Sequence, residues 1–128
     1  MAEFTDYSEN AILNLMRSVA WTAFAAYVAL FTTATADDGT GTEVTGGSYA
    51  RQAAGLAAAS GAGGATSNAA DITFPTATAD WGTITHVAIM DAATAGNMIM
   101  HSALDASKTV ASGDTFKINA GELDVTVA

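Results

Sequence analysis

Few side chains in this sequence could perform acid–base or metal chemistry. His86 and His101 are its two histidines, and the carboxylates of Asp91 and Asp105 follow them along the chain. A two-histidine metal site would need nearby carboxylates of this kind, but the spacing of these four residues does not require one. A histidine switch near neutral pH is equally unsupported. We therefore predict packing or surface roles for both histidines, and we expect no metal and no cofactor.

Residue patterns typical of enzymes are also missing from the sequence. It contains neither a G-x-S-x-G nucleophile turn nor an H-E-x-x-H metal motif. Asp37 and Asp38 are adjacent, but they lie in a glycine-rich loop, where we do not expect the burial that tunes a catalytic pKa. The same loop lacks the carboxylate spacing of an EF-hand. We predict that the protein is not an enzyme and has no catalytic residues.

Trp81 is the side chain with the best case for binding a ligand. It precedes Gly82, and its ring could stack on a sugar or a base. A tryptophan at a strand-to-turn junction more often fills the end of a β-sandwich core, and we favour that role. A carbohydrate-binding module for receptor recognition is kept as an alternative function.

The composition limits the classes of partner. The chain has 128 residues, no cysteine and a net charge of −9, from 13 acidic and 4 basic residues. One domain is expected at this length. An acidic surface repels nucleic acids and anionic membranes, so we expect neither as a partner. Without disulfides, oligomerisation is the common remaining source of extra stability.

Short runs of strand-forming residues alternate with Gly, Asp and Asn turns along most of the chain. The predicted strands cover residues 27–33, 48–53, 70–74, 83–90, 97–103, 108–110, 115–118 and 122–127. Strand 27–33 is apolar on both faces, which indicates a central strand. We predict that 83–90 forms a hairpin with 97–103, and 115–118 with 122–127. The fold class is mainly β: an antiparallel β-sandwich, or a Greek-key or jelly-roll-like barrel, with one short N-terminal helix.

The N-terminal segment is predicted to form an amphipathic helix over residues 6–17. Asp6 and Glu9 have the spacing of a capping box. Apolar residues recur with helical periodicity at Ile12, Leu15, Met16 and Val19. Our favoured interpretation packs this stripe on the protein's own domain, and the alternative is an arm that docks on a neighbouring subunit. Within a single structural domain, residues 1–25 form the helix and arm, and residues 26–128 form the β-sandwich.

If the arm docks on a neighbour, we expect certain residues to make the contacts. They are Ile12, Leu15 and Met16 in the helix, together with the loops near Gly47 and Gly63. Gly63 lies in a segment over residues 54–65 that consists almost wholly of Ala, Gly and Ser. Such a composition predicts a mobile connection, or a segment ordered only against a partner.

Four blocks of the sequence together resemble a family of small structural proteins from the particles of tailed bacteriophages. The blocks are YVALFTT, GTEVTGGSYARQAA, ITFPTATADWGTITHVAIMDAATAGNMIMHSAL and SKTVASGDTFKINAGELDVTV. Members of this family are often labelled phage tail or fibre proteins. The combination of blocks carries the resemblance, since each block alone is a weak signal.

The resemblance implies a structural protein of the virion, assembled in the cytoplasm of a host bacterium. Our first hypothesis is a capsid decoration, or cement, protein that binds adjacent subunits of the major capsid protein and stabilises the head. We expect a homo-oligomer, with a trimer as the first expectation. The alternative is a structural component of the tail, baseplate or fibre, with other tail proteins as partners.

Overall fold

This structure is a computed structural model, and it describes residues 3–59 and 64–126. Its elements in chain order are β1 Glu3–Phe4, α1 Asp6–Leu15, β2 Tyr27–Phe31, β3 Gln52–Ala53, β4 Ala65–Ser67, β5 Ile72–Thr73, β6 Gly82–Met90, β7 Met98–Val110, β8 Lys117–Ile118 and β9 Asp124–Thr126. The fold is mainly β and sandwich-like with one short helix, as predicted. Within the described residues, no helix is both long and apolar enough to cross a bilayer.

The main sheet contains five antiparallel strands in the order β1-β7-β6-β2-β3. The predicted hairpin of β6 and β7 is confirmed, with Ala88 opposite His101 and Ile89 opposite Met100. However, β7 continues through residues 108–110, which were expected to form a separate strand. A register shift beside Ile84 absorbs the mismatch, so that Gly82 still pairs with Val110.

Strand β2 is an interior strand of the sheet, between β6 and β3. Val28 and Leu30 pack in the cluster on one face, and Ala29 and Phe31 pack in the cluster on the other. All four side chains are buried. The prediction that this strand lies inside the sheet and is covered on both faces is therefore confirmed. The physical reason is that an uncharged strand with apolar side chains on both faces is most stable when both faces are buried.

A second layer consists of two small sheets, β4 with β9 and β5 with β8. Phe74 and Phe116 belong to this layer and join Val28, Leu30 and Ile84 in the largest apolar cluster. Their rings meet edge to face, with centroids 5.6 Å apart. This cluster holds the small sheets against the main sheet and forms the core of the sandwich.

The predicted hairpin between residues 115–118 and 122–127 is wrong. Strands β8 and β9 follow one another in the chain, but β8 pairs with β5 and β9 pairs with β4. The buried side chain of Asn68 captures the turn between them. Its amide nitrogen donates to the Asn119 carbonyl, and its amide oxygen accepts from the Leu123 N–H. These long-range hydrogen bonds direct the two strands to different partners.

Candidate functional site

The two histidines do not form a site with the carboxylates considered for them. His86 lies opposite Ala103 and His101 opposite Ala88, so the two residues are not a cross-strand pair. The His86 ring contacts the Thr85 hydroxyl. Asp91 accepts hydrogen bonds from Asn97 within the turn that joins β6 to β7. The structure therefore gives these side chains local roles in the hairpin.

His101 instead meets Asp37 and Glu3, and the three ligand atoms lie within 4.8 Å of one another. Its Nε2 is 2.9 Å from the Asp37 carboxylate, and its Nδ1 is 2.8 Å from the Thr35 hydroxyl. Both ring nitrogens of this buried histidine therefore have partners within the protein. The Asp37 carbonyl also accepts from the Asp6 N–H at 2.8 Å. We interpret the cluster as a set of structural contacts that holds the N-terminal segment and the loop after β2 against β7.

Trp81 lies in the core, as favoured from the sequence. Its side chain is 5 % exposed, and its ring meets Tyr49 edge to face with centroids 5.4 Å apart. The indole N–H donates to the Gly47 carbonyl at 2.9 Å. Because a sugar or a base must reach the ring face in order to stack, this burial removes the residue on which the carbohydrate-binding alternative depended.

Gly47 supports Trp81 from within the domain, although the sequence suggested a contact loop at this position. Its φ is +56°, and a Cβ added there would lie 2.9 Å from the Trp81 Nε1 atom. A side chain at this position would therefore be strained and would collide with the indole. The other predicted contact loop contains Gly63, which lies outside the residues that the structure describes.

An ion pair lies next to this aromatic group. Arg51 donates from Nε and one terminal nitrogen to the two carboxylate oxygens of Glu43, each at 2.8 Å, and Tyr49 donates its hydroxyl to the same carboxylate. Arg51 also donates to the carbonyls of Ala92 and Ala95. Burial raises the pKa of the Tyr49 phenol and keeps it protonated as a donor. The network joins the β6–β7 turn to the segment before β3.

The helix α1 is attached to β7 through hydroxyl groups. Thr5 caps the helix and forms a capping box with Ser8, whereas Asp6 and Glu9, which we expected to form the box, lie in the first turn. The buried Ser8 hydroxyl donates to the Ile99 carbonyl at 2.6 Å, and the Thr5 N–H donates to the same oxygen at 3.1 Å. Thr5 and Ser8 form the capping box in place of Asp6 and Glu9, because their hydroxyls bind backbone N–H groups at the helix start and carbonyls of β7 at the same time.

The apolar stripe of α1 does not cover the protein's own core, so our favoured interpretation of the helix was wrong. Ser8 is the buried residue of α1, while Met16 is 82 % exposed and Leu13 is 60 % exposed. Ile12 is half-buried. We define the apolar helix surface as the exposed side chains of Leu13 and Met16, which lie about one turn apart on one face of the helix end. Leu15 and Val19 are also exposed. The sequence interpretation included Met16 but missed Leu13, which falls outside the periodic stripe.

A groove of about 710 Å³ runs between β7 and the second layer. We call it the β7 groove. Its apolar lining includes the side chains of Met100, Leu104, Phe116, Ile118, Leu123 and Val125. Its charged lining residues are Asp105, Lys108, Lys117, Glu122 and Asp124. Strand β1 pairs with β7 at Met100 and His101; beyond them, no described strand pairs with this edge of β7. No local sequence signal predicts the groove, because segments that are distant in the chain form its two walls.

The chain matches a known protein family. A family model described as Podophage GP4 fiber I protein gp80 matches residues 3–126. The match covers the helix, the main sheet and the second layer. In the search of curated proteins, no protein matches the chain.

Proposed function

The chain belongs to the podophage GP4 fiber I protein gp80 family, and from this premise we propose that it is a structural component of a phage fibre. The expected membership of a tailed-phage structural family is confirmed, so the protein is a structural part of a bacteriophage particle. The family match over residues 3–126 is the observation that carries the proposal. It favours the fibre alternative over our first hypothesis of capsid decoration.

The potentially reactive side chains make structural contacts within the domain, and we propose that the protein is not an enzyme. His101 has Thr35 and Asp37 as partners on its two ring nitrogens. Arg51 is held by Glu43, and Trp81 is enclosed in the core. In each case the side chain joins separate parts of the chain, which is the role expected in a building block of a larger assembly.

The apolar helix surface supports a role in assembly. Soluble monomers usually bury apolar side chains of this size or expose them singly. Here Leu13 and Met16 are exposed one helical turn apart, while the start of the same helix is fixed to β7. A rigidly held apolar surface loses little conformational entropy when it binds a neighbouring subunit.

Imaging of intact particles tests the fibre proposal. We expect a gold-labelled antibody against this protein to mark the fibres of virions that carry it, and cryo-electron microscopy of those fibres to contain its β-domain. Labelling confined to the head surface would overturn the fibre proposal and support decoration of the major capsid protein. A matched control uses virions grown with a peptide tag on the major capsid protein, where the label must mark the head.

A further inference from the structure

We propose that the apolar helix surface of one copy binds in the β7 groove of a second copy. This inference rests on the proposed function only in taking the helix as an assembly contact, and it names the partner as the same chain. Both halves of the contact are present in one molecule: an exposed apolar helix end, and a groove with apolar side chains in its lining, beside an edge of β7 that no described strand pairs with beyond His101. Insertion of an amphipathic helix into an apolar groove is a recurrent mode of recognition.

The size and lining of the groove fit such a helix end. A volume of about 710 Å³ falls within the range of roughly 300–1,000 Å³ typical of binding pockets. Leu104, Ile118 and Leu123 line the groove and are only half-buried, so an incoming apolar group would remove further surface from water. Met16 suits this site because its unbranched side chain adapts to irregular apolar walls.

Charge complementarity favours a second copy as the occupant. Arg51 and Lys117 are paired with Glu43 and Asp71. Within the part of the chain that the structure describes, the other two cations, Arg17 and Lys108, form no ion pair with an acidic side chain. Arg17 follows the apolar helix end, and Lys108 lines the groove. Each proposed surface therefore carries one cation that has no acidic partner among the described residues.

The acidic groups are distributed in the complementary way. The groove lining carries Asp105, Glu122 and Asp124, which can receive Arg17 of the incoming helix. The first turn of α1 carries Asp6 and Glu9, which can receive Lys108. For a chain with a net charge of −9, most contacts between copies are repulsive. The helix-in-groove contact is an arrangement that brings opposite charges together at both ends of the helix.

A complementation experiment with two variants tests the contact. Met16→Glu places a charge on the helix end, and Ala106→Trp fills the groove from an exposed position in its lining. We expect each variant alone to self-associate at least 100-fold more weakly than the wild type, as measured by analytical ultracentrifugation. Mixed in equal amounts, the two should form a heterodimer, because one retains an intact groove and the other an intact helix surface.

The controls separate the contact from folding and from the fibre proposal. Asn10→Glu adds the same charge at an exposed position of the same helix and should associate like the wild type. All variants should keep the wild-type circular dichroism spectrum and melting temperature. Folded variants that remain monomeric after mixing would overturn the inference, as would a wild-type protein that is monomeric at millimolar concentration. Fibre labelling together with a monomeric wild type would support the proposed function and overturn this inference. Head labelling together with complementation would overturn the proposed function and support this inference.

Discussion

Two regions of this molecule differ in whether their apolar and charged side chains have partners within the domain. Around Trp81, the aromatic rings pack against one another, and Arg51 and Glu43 form an ion pair within the domain. Around α1, apolar side chains remain exposed, and apolar side chains of the β7 groove such as Leu104 and Leu123 are only half-buried. Arg17 and Lys108 form no ion pair among the described residues. We call these the closed region and the open region.

The difference indicates where stability and assembly reside. In the closed region, each apolar contact and hydrogen bond is made within one chain, so a substitution there changes the free energy of unfolding. In the open region, the apolar surface is in water in the isolated subunit, so a substitution there changes what the subunit can bind. The two regions can therefore be tested separately, by unfolding and by association.

The largest expected effect is the loss of an aromatic ring from the closed region. Phe74 is 1 % exposed and packs between Tyr49 and Phe116. We predict that Phe74→Ala lowers the free energy of unfolding by about 3–5 kcal/mol, because it removes buried surface and leaves a cavity. Urea unfolding followed by fluorescence measures this. Phe24→Ala, at an exposed position where the ring contacts Trp21, should cost only about 0.5–1.5 kcal/mol; equal effects of the two variants would contradict the division into regions.

The second prediction removes the cation of the closed region. Arg51→Ala leaves the half-buried carboxylate of Glu43 without its bidentate partner and also frees the carbonyls of Ala92 and Ala95. We expect a loss of about 3 kcal/mol, near the lower limit for breaking a buried ion pair, since Glu43 is partly in contact with water. Arg51→Lys keeps the charge but loses the planar fork, so it should retain only part of that stability. If both variants unfolded at the same urea concentration as the wild type, the network would be dispensable for stability.

How well the sequence predicted the closed region depends on how local each feature is. The hairpin of β6 and β7 and the interior, doubly covered position of β2 follow from alternation and composition along single segments. The partners of β8 and β9 do not follow in this way. They depend on hydrogen bonds from Asn68, which lies about fifty residues earlier in the chain. Gly47 was predicted as a loop residue, but its proximity to Trp81 depends on tertiary packing.

The open region was predictable only in part, for a related reason. Helical periodicity shows which side chains share a face, but it does not show whether that face meets the core or the solvent. The helix is instead fixed by Thr5 and Ser8, whose hydroxyls bind a carbonyl of a strand more than ninety residues away. A Thr-x-x-Ser spacing before the apolar run was the local signal that could have identified this cap.

The third prediction concerns this attachment of the helix. Ser8→Ala removes the hydrogen bond to the Ile99 carbonyl and half of the capping box. We expect a loss of about 1–2 kcal/mol. Hydrogen exchange should increase more for the amides of α1 than for those of β2, because the substitution loosens the helix locally. Leu13→Asn in the same helix is the matched control and should leave stability within about 0.5 kcal/mol. Equal exchange rates in α1 of both variants would argue against the anchor.

The smallest expected effect is the pH dependence contributed by Glu43. Burial raises the pKa of this carboxyl, but the hydrogen bonds from Arg51 and Tyr49 and the charge of Arg51 outweigh it, so the pKa lies below its ordinary value of 4.5. A carboxyl with a lowered pKa stabilises the fold fully above its ordinary pKa, and this contribution is lost as the pH falls through the folded-state pKa. We predict that the difference in unfolding free energy between the wild type and Glu43→Gln is constant from pH 7 to about pH 5.5 and shrinks below it. Urea titrations at each pH measure the difference. A difference that stayed constant down to pH 3 would mean that the carboxylate's charge contributes nothing to the closed region, and that its hydrogen bonds alone account for the stability it supplies.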